Sequence, residues 1–239
     1  EYFAAKEPEQ EVPVVSEVID INHTKEYEDL TIHKVNEHTR AYIKIQDGCN
    51  QFCSYCIIPY TRGRIRSKNP EEVIEEVKNL AAQGYKEIVL TGIHLSSYGK
   101  DLGTVTLLDV IKRIQQVEDV ERIRLGSLEP RIITEEFVKE LVKCDKVCPH
   151  FHLSLQSGCD ETLKRMNRKY TTEEYEEALN ILRKYYEHPA LTTDVIAGFV
   201  GETEEEFEKT RAYLEKINLY EMHIFKYSVR EGTCHFFYW

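Results

Sequence analysis

The chain has 239 residues, a length that fits one large domain with a substantial hydrophobic core. Its formal net charge of −11 argues against a domain that holds nucleic acid by bulk electrostatic attraction, because phosphate contacts need Lys and Arg. No run approaches the 18 apolar residues of a membrane span, and the first residues lack a signal-peptide pattern.

The first 38 residues differ from the remainder of the chain. They are acidic, contain prolines at positions 8 and 13 and show no sustained period. We therefore expect a linker or lead-in segment over residues 1–38, with an edge strand at 30–35, and a core domain over residues 39–239.

From position 41 onward, short apolar or β-branched segments alternate with segments of helical period. This alternation predicts six βα units and a parallel sheet, which either closes into a partial barrel or lies open as a doubly wound sheet. The predicted strands are residues 41–45, 87–91, 122–126, 151–155, 192–196 and 222–227.

The predicted helices begin at residues that favour the N-cap position. Such residues accept a hydrogen bond from a free backbone N–H of the first turn. A threonine followed three residues later by glutamate is typical of a capping box, and this pattern occurs twice, at Thr171 and Thr203. The predicted caps are Asn69 (with Pro70 next to it), Thr106, Thr134, Thr171 and Thr203.

Three of the seven cysteines form a CxxxCxxC motif, at Cys49, Cys53 and Cys56. Cysteine thiolates hold iron–sulfur clusters, normally one per iron, so three of them leave one iron of a 4Fe–4S cluster open to another ligand. Structural zinc is an alternative, but it usually needs four ligands. Cys144, Cys148 and nearby histidines are the available candidates for the missing one. A disulfide framework fits poorly with close spacing and an odd cysteine count, so we expect a reducing, cytoplasmic setting.

Residues 47–59, followed by Arg-Gly at 62–63 and Arg-Ser at 66–67, resemble the radical SAM core of the methylthiotransferases. Within that family the sequence of these motifs is most similar to the branch that makes 2-methylthio-N6-threonylcarbamoyladenosine in tRNA. Further similar segments occur in the family's order at residues 91–99, 125–130, 152–158 and 164–168. The resemblance runs from about residue 40 to residue 233.

The resemblance implies a partial (β/α)6 TIM-like barrel of the radical SAM type. It implies one 4Fe–4S cluster with an open iron, S-adenosyl-L-methionine (SAM) as cosubstrate and a low-potential electron donor. A 5′-deoxyadenosyl radical would then allow insertion of a methylthio group at C2 of N6-threonylcarbamoyladenosine beside the anticodon of a tRNA. Two alternatives remain: methylthiolation of an aspartate in a ribosomal protein, and a non-catalytic iron–sulfur or zinc scaffold.

The resemblance also implies that the whole protein has three domains, of which this core is the middle one. A preceding domain supplies cysteines for a second, auxiliary 4Fe–4S cluster, and a following small β-barrel grips RNA. We expect both domains to be absent from this chain, so that it cleaves SAM without completing the transfer to tRNA.

The resemblance assigns site residues by position. Cys49, Cys53 and Cys56 are the metal ligands, and no catalytic residue is expected beyond the cluster and SAM. The expected SAM contacts are Tyr55 near the adenine, Gly92 at the methionine amino group, Glu129 at the amine or ribose, Ser154 and Gln156 at the ribose or methionine moiety, Arg168 at the carboxylate, and Ile196 and Gly198 flanking the adenine. Plainer readings stand beside several of these: a cluster-shielding aromatic for Tyr55, a turn glycine for Gly92, a turn carboxylate for Glu129 and a helix-end arginine for Arg168.

Basic residues follow the cysteine motif, in contrast to the acidic chain as a whole. Arg62, Arg64, Arg66 and Lys68 form a predicted strip, which is either a solvated loop or a contact for substrate phosphate. The remaining cysteines at 144, 148 and 159 are expected to be buried small hydrophobes, and the histidines at 150 and 152 to be structural.

Overall fold

A computed structural model describes residues 20–28 and 39–233 of the chain. The strands are β1 (Arg40–Asp47), β2 (Arg66–Ser67), β3 (Glu87–Gly92), β4 (Arg122–Leu125), β5 (His150–His152), β6 (Ala190–Ala197) and β7 (Glu221–Lys226). The helices are α1 (Ile58–Thr61), α2 (Pro70–Ala82), α3 (Leu107–Ile114), α4 (Glu135–Leu141), α5 (Asp160–Arg165), α6 (Thr172–Tyr185) and α7 (Glu204–Ile217), with 3₁₀ turns at Ile21–His23, Leu95–Ser97 and Pro130–Ile132. The expected edge strand at residues 30–35 lies outside the described residues.

The strands form a half-barrel. One sheet has the order β2-β1-β3-β4 and the other β5-β6-β7. All pairs are parallel except β1 with the two-residue β2. Isolated parallel bridges, Ile123 to Val147 and Leu128 to Leu153, connect the β4 edge to the chain around β5. The expected partial barrel is thus confirmed, and all six predicted strands are present.

The strand predicted at residues 151–155 is shorter than expected because side chains replace part of its ladder. The hydroxyl of Thr193 donates to the carbonyl of Leu153 at 2.5 Å and accepts from the backbone N–H of Leu155 at 3.0 Å. The hydroxyl of Tyr170 donates to the carbonyls of Ser154 and Leu155, at 2.5 and 2.8 Å. Regular pairing with β6 therefore ends at His152 and returns as a single bridge at Gln156.

The predicted helix starts are confirmed. Each of the five predicted N-cap side chains accepts from a backbone N–H in the first turn of its helix. Thr171 and Thr203 form complete capping boxes, and Thr106 forms a third with Asp109. At the end of α2, Gly84 has a φ of +95°, the left-handed backbone that glycine adopts without strain.

Buried aliphatic side chains from the strands pack against the helices, and together they form the core. Alternate residues of β1, Ala41, Ile43 and Ile45, are at most 1 % exposed. In contrast, every residue of the edge strand β7 is exposed. None of the helices in the described ranges combines the length and the apolarity needed to cross a bilayer.

Candidate metal centre

The cysteine motif lies in the loop between β1 and α1, at the carboxyl end of the first strand. A glycine is needed where the chain leaves β1, because a Cβ on Gly48 would lie 1.8 Å from the carbonyl oxygen of Arg64, and its φ is +67°. The backbone N–H of Cys49 donates to the carbonyl of Gly63 at 3.0 Å. The loop thus begins at a close crossing of two backbone segments.

Asp47, the last residue of β1, fixes the start of this loop. Its side chain is buried and accepts from the Gly48 N–H at 2.8 Å and from the Lys44 ammonium at 3.0 Å. Burial opposes ionisation of this carboxyl, but the hydrogen bonds from Lys44 and Gly48 outweigh it and hold the pKa of Asp47 below its usual range.

The far side of the loop is held by the segment that follows α5. Ser54 donates from its backbone to the carbonyl of Met166 at 3.0 Å and from its hydroxyl to the carbonyl of Arg165 at 2.8 Å. The amide of Asn167 donates to the carbonyl of Phe52 at 2.7 Å, and Phe52 has a left-handed φ of +51°. A sequence segment more than 100 positions away therefore determines the shape of the cysteine loop.

The three thiols line one cavity of about 140 Å³. All three are free, with Cys49 buried and the other two half-buried. Burial raises the pKa of Cys49 and of Cys56, and the nearby Cys53 thiol raises both further. Thiolates that line one cavity repel one another, and a cation bound among them would relieve the repulsion and release protons. The donor set, three soft thiols in one partly buried cavity, fits an iron–sulfur cluster.

Larger clefts exist elsewhere, including one of about 680 Å³ along α3 and α4. Its lining contains no cysteine or histidine. Donor chemistry, rather than volume, therefore identifies the smaller cavity as the candidate site.

Four of the eight expected SAM contacts line the cavity beside the cysteines: Tyr55, Glu129, Ser154 and Arg168. The ring of Tyr55 packs edge-on against Phe199 at 6.1 Å between centroids, and Phe199 packs in the same way against Tyr227. Glu129 is buried and paired with Arg131. These side chains come from four separate segments of the chain, which the half-barrel brings to one rim.

Arg168 makes the most contacts of these four. Its guanidinium donates to Cys53 Sγ at 3.2 Å, to the Tyr170 hydroxyl at 2.9 Å and to the Ser154 carbonyl at 3.5 Å. It also lies over the Tyr170 ring, 4.8 Å from the centroid. Burial opposes its charge, but Tyr170, Tyr55 and Cys53 keep the pKa of Arg168 raised, so it is a cation inside the cavity.

The other four expected contacts lie outside the cavity lining: Gly92, Gln156, Ile196 and Gly198. Gly92 has a packing reason to be glycine, because a Cβ there would lie 2.9 Å from Gln46. The carbonyl of Gln156 accepts from the N–H of Ile196 at 2.8 Å, and Gln156 has a φ of +74°. Gly198 donates to Glu202 at 2.6 Å. Their expected roles toward SAM stay predictions.

The cavity also contains residues that the sequence did not single out, above all Gln51 and His94. His94 Nδ1 lies 2.6 Å from the hydroxyl of Ser97, and its Nε2 lies 3.5 Å from the amide nitrogen of Gln51. Burial lowers the pKa of His94 to about 4, so it is neutral at pH 7. Its place just beyond β3, at the rim where strand ends meet, was the signal for it.

The predicted basic strip is wrong for two of its four members. Arg66 is 4 % exposed and donates to the carbonyls of Arg62 and Arg64, while Lys68 is 2 % exposed and pairs with Glu76 at 2.8 Å. Arg66, in β2, stabilises the loop from inside the domain, whereas Lys68, just after β2, connects this segment to α2. Arg62 and Arg64 are exposed, and Arg64 lies over the Phe52 ring at 4.6 Å. The expectation for the cysteines outside the motif is confirmed, since Cys144, Cys148 and Cys159 are buried.

Comparison with known proteins adds to this geometry. The model of the radical SAM superfamily matches residues 43–214. A threonylcarbamoyladenosine tRNA methylthiotransferase of Bacillus subtilis is 45 % identical over 92 % of this chain and 49 % of its own length. A tRNA-2-methylthio-N6-dimethylallyladenosine synthase of Clostridium botulinum is 42 % identical over 86 % of this chain and 46 % of its own length. The chain thus spans about half the length of these curated relatives.

Among solved structures, a radical SAM methyltransferase of Kitasatospora setae, with cobalamin and a 4Fe–4S cluster bound, has a similar fold. The TM-score is 0.68 at 19 % identity, covering 82 % of this chain and 38 % of the other. At that identity the similarity concerns the fold alone.

Proposed function

The chain belongs to the radical SAM superfamily, and we propose that it is the radical-generating core of a tRNA methylthiotransferase. The observation that carries this proposal is the convergence of Cys49, Cys53 and Cys56 on one cavity with the half-buried Arg168. When bound, a 4Fe–4S cluster and SAM would supply a 5′-deoxyadenosyl radical. We propose a cytoplasmic setting and a low-potential electron donor.

In this proposal the residues of the chain bind the cluster and orient SAM. The three thiolates hold the cluster, and the loop contacts from Met166, Arg165 and Asn167 keep them in place. The Arg168 cation faces the carboxylate of the methionine moiety, and Tyr55 packs beside the adenine. The edge-on packing of Tyr55 on Phe199 supports the latter role, because it fixes the plane of the ring.

The proposed substrate is N6-threonylcarbamoyladenosine next to the anticodon of a tRNA, modified at C2. The name of the Bacillus subtilis relative supports it, together with the match over 92 % of this chain. N6-dimethylallyladenosine is a second candidate, because a relative of that activity is 42 % identical over 86 % of the chain. For the full-length protein we propose a second, auxiliary 4Fe–4S cluster and tRNA contacts outside this core.

An exchange of cores tests the proposal. Residues 40–233 replace the matching core in the Bacillus subtilis relative, and the chimera is reacted anaerobically with SAM and anticodon stem-loop RNAs that carry either N6 modification. We expect mass spectrometry to detect a methylthio group on the threonylcarbamoyl RNA. The same chimera with Cys49→Ala is the control and should be inactive. A chimera that cleaves SAM but modifies neither RNA would overturn the substrate, and one that modifies the dimethylallyl RNA would favour the second candidate.

A further inference from the structure

Two histidines and an aspartate meet on the inner face of the second sheet, apart from the cysteine cavity. They are His152 on β5, Asp194 on β6 and His223 on β7. Phe151 and Leu191, their neighbours along the strands, are buried in the core with the α6 side chains. Because successive strand residues point to opposite faces, the cluster lies on the face turned away from α6.

Strand register brings the three side chains together. His152 pairs with Thr192 across the β5–β6 ladder, and Asp194 pairs with His223 across the β6–β7 ladder. His152 Nε2 lies 3.2 Å from Asp194 Oδ2, and His223 Nδ1 lies 3.3 Å from Asp194 Oδ1. One nitrogen or oxygen of each residue falls within 4.8 Å of the others. Ligands 2.0–2.2 Å from one zinc ion are about 3.3–3.6 Å apart in a tetrahedron, so the two histidine–aspartate distances already fit one ion.

The hydrogen bonding of His152 indicates which atom is available. Its Nδ1 lies 3.0 Å from the Thr192 hydroxyl. Its Nε2 is buried and has no hydrogen-bond partner among the described residues, although Asp194 Oδ2 is close to it. A histidine that ligates a metal commonly engages its other ring nitrogen with an oxygen, which fixes the orientation of the ring. His152 has this arrangement before any ion is bound.

The rings of His152 and His223 are nearly parallel, 6.2 Å apart and inclined by 24°. The side chain of His152 is 14 % exposed and that of Asp194 30 %, whereas that of His223 is 54 % exposed. The cluster is therefore closed on the β5 side and open on the β7 side, where an ion could enter.

We propose that His152, Asp194 and His223 bind a divalent first-row transition ion, with Zn²⁺ as the preferred occupant. Two imidazoles and one carboxylate are a donor set that such ions favour, and three protein ligands leave a position for water. The ion would connect β7, whose residues are all exposed, to the two strands beside it. The site is separate from the cysteine cavity, since none of its three residues lines that cavity.

The test uses a background in which thiols do not compete for metal. In the chain with Cys49, Cys53 and Cys56 all replaced by Ala, checked for folding by circular dichroism, Co²⁺ is titrated and followed by its visible absorption. We expect one Co²⁺ per chain, displaced by Zn²⁺, without sulfur-to-cobalt charge transfer. The corresponding triple Ser variant is used if the Ala variant does not fold.

Variants of the cluster then locate the ion. His223→Gln and Asp194→Asn should weaken Co²⁺ binding more than about tenfold, and Thr192→Val by about 10- to 100-fold through the ring orientation of His152. His150→Gln, two positions along β5, is the matched control and should bind as before. Binding that is absent in the background chain, or unchanged in His223→Gln and Asp194→Asn, would overturn the proposal whatever the activity of the cysteine site.

Discussion

Arg168 donates a hydrogen bond from Nη1 to the Sγ of Cys53, with 3.2 Å between the two atoms. The two residues are 115 positions apart, and their contact joins the cysteine loop to the segment that follows α5. A guanidinium in this place stabilises a thiolate and leaves other N–H groups directed at the Ser154 carbonyl and the Tyr170 hydroxyl. This single side chain therefore connects the proposed metal ligands to the proposed SAM pocket.

Replacement of Arg168 should damage SAM cleavage. Hydrogen bonds to charged groups contribute about 1.5–3 kcal/mol, so we expect Arg168→Gln to lower the rate of 5′-deoxyadenosine formation by about tenfold to hundredfold. Arg168→Lys keeps the positive charge but loses the planar guanidinium. Its rate of 5′-deoxyadenosine formation should fall between those of the native chain and Arg168→Gln. The exposed Arg62→Gln is the matched control. The assay is product mass spectrometry after anaerobic reconstitution and reduction, and a rate for Arg168→Gln within twofold of the native rate would contradict the role.

The cysteine motif should determine the iron content. We expect about four irons and four sulfides per chain after anaerobic reconstitution, because three thiolates suffice for a cluster with one open iron. The triple variant Cys49→Ala, Cys53→Ala, Cys56→Ala should lose this iron. The controls Cys144→Ala and Cys159→Ala should keep it, because those thiols are buried elsewhere in the chain. Colorimetric iron and sulfide analysis measures both. Stoichiometric zinc in place of iron would contradict the expected cluster.

The sequence was sufficient for the strands and helix starts because their signals are local. Threonine three residues before glutamate specified the caps of α6 and α7, and apolar alternation specified β1. The two-residue β2 has no such signal, so Arg66 in it and Lys68 just after it were assigned to a basic strip although both are buried. The end of β5 depends on the hydroxyls of Thr193 and Tyr170, which no period within residues 151–155 encodes.

The site divides in the same way. The cysteine spacing singled out the three thiols that line the cavity, and the resemblance named Glu129 and Ser154, which line it with them. The contacts that shape the loop, such as Asn167 with Phe52, join segments far apart in sequence and required coordinates. The His152–Asp194–His223 cluster depends on the register of three strands, so single histidines in the sequence gave no reason to group them.

Glu87 should make stability depend on pH. Its buried carboxylate accepts from Arg124 at 2.8 Å and from Arg122 at 3.1 Å, and Arg40 lies 3.4 Å away. Burial opposes ionisation, but the hydrogen bonds from Arg124 and Arg122 hold the pKa of Glu87 below its usual value. A lowered folded-state pKa contributes stability above the unfolded pKa of about 4.3, and that stability is lost as pH falls through the folded value.

We therefore expect Glu87→Gln to reduce the free energy of unfolding by about 1–3 kcal/mol at pH 7, with the difference from the native chain shrinking below about pH 4. Urea denaturation at a series of pH values measures it. Glu121→Gln is the control, because its ion pair with Lys86 is exposed and should matter by less than about 0.5 kcal/mol. A difference that stays constant from pH 7 to pH 3 would show that Glu87 acts by packing rather than by charge.

Binding of tRNA by this chain should be weak and should depend on two arginines. A net charge of −11 repels phosphate over most of the surface, and Arg66 and Lys68 are buried, which leaves Arg62 and Arg64 exposed beside the cysteine loop. We expect a Kd in the non-specific range of about 10⁻⁴ to 10⁻⁶ M at physiological salt. The double variant Arg62→Gln, Arg64→Gln should abolish this binding and its salt dependence while SAM cleavage stays largely intact. Filter-binding titrations at several salt concentrations measure the binding.

Arg66→Gln is the contrasting variant: it should lower stability, because the Arg66 guanidinium donates to the carbonyls of Arg62 and Arg64 from inside the domain. Nanomolar binding by the native chain, retained in the double variant, would place the RNA contacts on another surface of this core.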